Sequence, residues 1–255
     1  MALLEARGIS KSFAGIRALD DVSIDVDAGE RVGLIGPNGA GKTTFFNCLL
    51  GLLRPDAGTV RFAGRDISRL AVHERARLGI GRTFQRMELF GDSTVLDHLL
   101  VAERVRRGDG SLWRDILGRG RPRPDELARC MATLELLGIA DLADEPIERL
   151  SLGKGRLVEV GRALMTEPRL LLLDEPSSGL DRDETAALAR TLREVQTERG
   201  IAILLVEHDV ELVADFTERT YVLDFGSLLA SGPTAAVLSD VAVRRAYLGD
   251  AVEVR

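Results

Sequence analysis

The 255-residue chain has only two cysteines, Cys48 and Cys130, far apart and in no CxxC or metal-ligand spacing. That excludes a disulfide framework and a cysteine-built metal site, and the pair reads as reduced, buried thiols in a cytosolic protein. Long apolar runs are missing too. No stretch approaches the ~20 residues that cross a bilayer, and the opening MALLEARGISKSF has no basic segment followed by an apolar core. The chain is therefore expected neither to be exported nor to insert itself. It also lacks a basic surplus, with 34 Lys and Arg against 40 Asp and Glu and a formal charge of −6. Holding duplex nucleic acid by phosphate neutralisation is not expected of such a chain. Lysine is scarce: Lys11, Lys42 and Lys154 are all there are. Two of these three lie inside glycine-containing turns.

What is present suits one large α/β domain, since 45% of the residues are hydrophobic and the length supports a full core. Short β-type runs, LLEARGIS, VSIDVDAG and RVGLIG, lead into GPNGAGKTT at residues 36–44. KTTFFNCLLGLL then has helical spacing up to Arg54-Pro55, and GTVRFAGRDI reads as a small hairpin. Residues 86–165 are mostly helical in pattern, after which RLLLLDEP and IAILLVEHD read as buried parallel strands. The expected division is a single domain over 1–255, with residues 1–85 and 166–255 as its α/β core and 86–165 as a helical insert. Residues 104–124 hold seven arginines against two aspartates. They read either as a solvated loop or as a basic surface toward anionic lipid or a membrane partner, with Trp113 able to anchor either arrangement.

Gly36-x4-Gly41-Lys42-Thr43 is the spacing of a phosphate-binding loop. Backbone N–H groups and a helix N-terminus surround the phosphates, the lysine adds a point charge, and the Thr43 hydroxyl is offered to Mg²⁺. Asp174 follows four leucines, which puts a carboxylate at the C-terminal end of a buried strand, where open α/β sheets bind ligands. Glu175 comes next. Because strand side chains alternate, it is expected to point away from the metal and to be free to polarise a water. His208 ends another buried strand and is either structural or a contact to the γ-phosphate. A second glycine turn, LSLGKGR at 150–156, opens a helix expected over 154–165. One nucleotide does not need two such turns.

Taken in order, GPNGAGKTT, Gln85, LSLGKGR, LLLLDEPSSGLD and His208 resemble the ATP-binding subunit of an ABC transporter, over essentially the whole chain. The resemblance implies a P-loop α/β fold with an N-terminal antiparallel β subdomain and an inserted helical subdomain. It implies ATP on Gly36, Asn38, Gly39, Ala40, Gly41, Lys42, Thr43 and Thr44, and Mg²⁺ on Thr43, Gln85 and Asp174. Glu175 would be the general base and His208 the switch. Phe13 would stack on adenine, its alternative being a core phenylalanine at a strand end. The resemblance also accounts for the second turn. Two cassettes face head to tail, and Ser151, Gly153 and Lys154 of one close over the ATP of the other.

This signature departs from the common LSGGQ, with Leu152 for a glycine and Lys154 for the glutamine. A lysine at a helix N-terminus opposes the macrodipole until an anion arrives, so closure is expected to depend more strongly on ATP. GRTFQRMELF, the long helical region and the tail RRAYLGD most resemble ATPase subunits of bacterial importers for branched-chain amino acids. The implied assembly is peripheral at the cytoplasmic face of the membrane. Its partners would be permease subunits, a second cassette (the same chain or a similar one) and, indirectly, an extracytoplasmic solute-binding protein. A urea or amide importer, a non-transport ABC ATPase and a weakly hydrolysing regulatory module stand as alternatives.

Overall fold

The computed structural model describes residues 2–83, 93–107 and 122–248. In chain order the strands are β1 (Leu4–Phe13), β2 (Ile16–Val26), β3 (Arg31–Ile35), β4 (Ala57–Phe62), β5 (Arg65–Asp66), β6 (Ile80–Arg82), β7 (Leu170–Asp174), β8 (Ala202–Val206), β9 (Arg219–Asp224) and β10 (Ser227–Pro233). The helices are α1 (Lys42–Leu50), α2 (Val72–Arg77), α3 (Val95–Arg107), α4 (Pro124–Leu136), α5 (Leu152–Leu164), α6 (Arg182–Arg199), α7 (Val210–Phe216), α8 (Thr234–Ser239) and α9 (Val241–Leu248). An antiparallel sheet runs β2-β1-β4-β5, and a six-stranded sheet runs β10-β9-β3-β8-β7-β6. Its strands are parallel except for β10, which returns antiparallel to β9.

The four leucines of β7 explain why the larger sheet is covered on both faces. Leu170 and Leu172 enter a core shared with Phe45 and Phe46 of α1 and with Ile24 and Val60 of the antiparallel sheet. Leu171 and Leu173 point the other way, into a core built with Leu99, Leu134, Val158 and Leu188 of α3, α4, α5 and α6. All four are completely buried, as a strand between two layers requires. Cys48 and Cys130 are buried free thiols, one in each core. Burial pushes them up to about 11 and about 12, which leaves both unreactive at neutral pH.

α1 ends in a left-handed Gly51, and its last carbonyls receive a guanidinium. Arg75, 2% exposed, donates Nη1 to Cys48 O at 2.8 Å and to Leu49 O at 2.6 Å, and Nε to Leu70 O at 3.1 Å. The buried guanidinium is held here by main-chain carbonyls, two of them at the C-terminal end of α1, where Cys48 O also accepts Gly51 N–H at 3.3 Å.

The arginine-rich segment is partly accounted for. Arg104 pairs with Glu126 (3.5 Å), Arg106 with Glu103 (3.0 Å), Arg107 with Asp125 (2.7 Å) and Arg123 with Glu126 (3.0 Å). Each of these four cations has a carboxylate partner within the helical layer, with Arg106 and Arg123 themselves exposed. Trp113, Arg114, Arg119 and Arg121 lie outside the described residues, as do Gly249 and Asp250 of the tail motif.

Candidate active site

Strand order brings the functional residues to one edge. In the parallel registers β3–β8 and β7–β8, Leu34 and Asp174 both lie opposite Val206, so the turns after β3, β7 and β8 emerge side by side. Glu207 N–H donates to Leu34 O (3.3 Å) and Glu175 N–H to Val206 O (2.8 Å).

The first of these turns is the glycine loop. Gly36 has φ 154°, and a Cβ there would lie 2.2 Å from Leu223 O. Gly41 caps α1 at φ 100°, where a Cβ would lie 2.6 Å from Ala18 O. Glycine at these two positions is demanded by the chain's own backbone, before any ligand is considered. Asn38, Gly39 and Thr43 are exposed along the loop, Thr44 is half-buried, and Ala40 is buried with its carbonyl accepting Gly226 N–H at 3.0 Å. The buried Lys42 ammonium donates to Gly36 O (2.6 Å) and Pro37 O (3.1 Å), inside the curve of the loop.

Around that ammonium gather Asp174, Glu175 and Glu207. Burial, then Glu175 and Glu207, push Asp174 up to about 6, against Lys42 and Arg82. Burial likewise lowers Lys42, opposed by Glu175, Asp174 and Glu207. A buried carboxylate among further acids is short of positive charge. This suits a divalent cation that takes one or two protein oxygens and completes its shell with phosphate and water. Among the described residues, no group of three or more His, Cys, Asp or Glu could hold a metal by itself, so the oxygens would come from Asp174 and the Thr43 hydroxyl. Gln85, the third expected ligand, lies outside the described residues.

Strand alternation does not govern Glu175. β7 stops at Asp174, and Glu175 is in the left-handed region at φ 47°, a conformation that a non-glycine residue adopts at some cost. His208 is half-exposed, with Nδ1 3.9 Å from Glu175 Oε2 and 3.7 Å from Glu207 Oε2. Glu207 went unrecognised in the sequence, although an acid between a buried Val206 and a histidine was a signal.

The second turn begins its helix two residues earlier than the spacing suggested, at Leu152. Ser151 is the N-cap, its Oγ accepting Lys154 N–H at 3.3 Å, and Lys154 is exposed. The turn rests on the chain after Glu175. Leu152 Cδ2 lies 2.8 Å from where a Gly179 Cβ would be, and Glu184 Oε1 lies 3.1 Å from where a Gly153 Cβ would be. Phe13 is not a core residue: it is 44% exposed at the tip of the β1–β2 hairpin, paired with Ile16 and under the Lys11 ammonium. Ala18, two residues beyond Ile16, touches Gly41, so this apolar tip stands beside the phosphate loop. A groove of about 260 Å³ lies between the α1–α2–β6 side and α3 and α5, lined by Leu50, Ala76, Ile80, Val101, Val105 and Ala163.

A family model described as ABC transporter matches residues 19–178. LivG of Salmonella typhimurium, a high-affinity branched-chain amino acid transport ATP-binding protein, is 38% identical over 252 residues, 98% of each chain. LptB of Haemophilus influenzae, a lipopolysaccharide export system ATP-binding protein, is 36% identical over 250 residues, again 98% of each. The crystal structure of the ADP conformation of MJ1267, an ATP-binding cassette of an ABC transporter, superposes with a TM-score of 0.88 at 34% identity, covering 98% of this chain and 100% of that one. Agreement of this extent, in sequence and in fold alike, makes the chain a member of the ABC transporter family, an ATP-hydrolysing cassette.

Proposed function

We propose that this cassette powers an importer of branched-chain or related hydrophobic amino acids, bound at the cytoplasmic face of the membrane to separate permease subunits. The observation that carries this reading is the end-to-end match with LivG. No helix among the described residues is long and apolar enough to cross a membrane, and the groove between α1–α2–β6 and α3–α5 offers an apolar seat for a permease's cytoplasmic helix. An extracytoplasmic binding protein would deliver the solute to that permease.

In this reading the loop from Gly36 to Thr44 cradles the phosphates, and Lys42 moves its ammonium onto them. Phe13 stacks on adenine. Asp174, Thr43 and Gln85 would hold Mg²⁺, which would supply neutralising charge to the triphosphate. Glu175 takes the proton of the water that attacks the γ-phosphorus in line, as the bond to the ADP oxygen breaks. His208 donates to the γ-phosphate. Ser151, Gly153 and Lys154 of a second cassette complete the pocket, so ATP acts as part of the interface and its cleavage reopens it.

LptB's comparable similarity shows that one cassette design serves loads of different kinds, so the cargo test must be made on the whole transporter. Glu175→Gln is expected to bind ATP, accumulate as a dimer in sedimentation and lose turnover; undiminished hydrolysis would overturn the assigned mechanism. Co-purification of permeases with the tagged chain, and stimulation of its ATPase by leucine or isoleucine with the binding protein, would support import. Indifference to every branched-chain amino acid would overturn the cargo.

A further inference from the structure

We infer that Glu207 is a positioning residue that joins the general base, the switch histidine and the signature helix of one protomer into a single moving unit. The inference rests on the roles proposed above for Glu175 and His208.

Glu207 is completely buried. Oε1 accepts Ser177 N–H at 3.0 Å and Ser177 Oγ–H at 2.6 Å. Oε2 accepts His208 N–H at 3.0 Å and Asp209 N–H at 3.4 Å. Each oxygen thus serves a different turn, one following β7 and the other following β8. Ser177 is two residues from Glu175, whose carbonyl accepts Ser178 N–H at 3.1 Å. The same short turn reaches the signature helix: Ser178 O accepts Arg156 Nη2 at 3.4 Å, and Gly179 packs on Leu152.

A carboxylate is a poor choice for packing alone at this position. It is anionic beside Asp174 and Glu175, and it helps to push Asp174 up, so burying it works against the local field. What it gains is four charge-assisted bonds to main-chain and hydroxyl donors that no apolar side chain could satisfy. A displacement of His208 on loss of the γ-phosphate is then carried to Ser177 and on to Leu152 and Arg156. Those residues belong to the turn that closes the neighbour's ATP. Cleavage in one pocket would loosen the lid of the other.

Glu207→Gln keeps the shape but faces one set of N–H donors with an amide N–H₂. In the full chain, ATP affinity is expected to stay within about twofold, while kcat falls ~10-fold or more, the equivalent of one lost charge-assisted bond. Hydrogen exchange separates this role from a chemical one. ATP should strongly protect the amides of residues 152–156 in Glu175→Gln, which stays closed, and fail to protect them in Glu207→Gln. Ser177→Ala is the gentler second variant, and it should cost less in the Glu207→Gln background than in the wild type, because the two act through one bond. Wild-type turnover of Glu207→Gln, a parallel loss of binding and kcat, or ATP protection equal to that of Glu175→Gln would each overturn the inference while leaving the proposed function intact. Normal hydrolysis by Glu175→Gln would instead remove that function, and this inference with it.

Discussion

Asp174→Asn should make the nucleotide-free cassette more stable while ending its turnover. Asp174 is 9% exposed and its carboxyl is raised from 3.8 to about 6, chiefly by burial and next by Glu175 and Glu207. Below pH 3.8 the group is protonated in folded and unfolded chains alike, and the substitution gains nothing. Between 3.8 and about 6 the folded chain binds the proton more tightly than the unfolded one, so stability falls as pH rises. Above about 6 the full penalty applies. At ~1.4 kcal/mol per decade it reaches about 3 kcal/mol, an upper bound because water enters the cleft mouth. For a chain of this size that is a rise in Tm of up to ~6 °C. Thermal unfolding of both proteins in EDTA, from pH 4 to pH 8, would show the gain growing through this window and levelling off above it. An asparagine variant less stable than wild type at pH 7.5, or a gain independent of pH, would refute the reasoning. With Mg²⁺ and ATP the same variant should hydrolyse at background rate.

Two further outcomes follow from the turns. Lys154→Gln removes an exposed cation that opposes the α5 dipole by ~0.3–1 kcal/mol; sedimentation should show apo dimerisation unchanged or raised and ATP-driven dimerisation weakened, and a large fall in apo dimer would contradict this. Gly39 and Gly41 both have positive φ, at 82° and 100°, but only Gly41 has backbone within 4 Å of a would-be Cβ. Gly39→Ala should therefore cost ~1–2 kcal/mol of unfolding free energy in denaturant titrations and Gly41→Ala clearly more, and equal losses would discredit the steric account.

The parts of the fold legible in the sequence were those written in a single local pattern. The glycine loop with its flanking strand and helix, the leucine run of β7 and the capped start of α5 each announce themselves within about a dozen residues. α6 went unread: an Asp181–Glu184 capping box starts it, but its many charges hide the apolar stripe of Leu188, Leu192 and Val195. β6 could not be read: three residues are too few for a period, and Gly81 is there because Pro168 presses on it. The most informative failures are Arg75 and Glu207. Both are charged residues that a sequence places at the surface, and both are buried because main-chain groups from distant turns need a partner. That need exists only in three dimensions. The left-handed Glu175 belongs with them, since no alternation rule foretells where a strand stops.

The glycine loop owes its shape to chain made much later. Its Gly36 lies against Leu223 O, its Ala40 carbonyl is held by Gly226 N–H, and the same Gly226 accepts from Asp20 N–H. A ribosome that has delivered residues 1–200 has released every atom of the loop but neither Leu223 nor Gly226, against which the loop is shaped. A nascent chain at that point therefore still lacks two of the contacts that shape the mature loop.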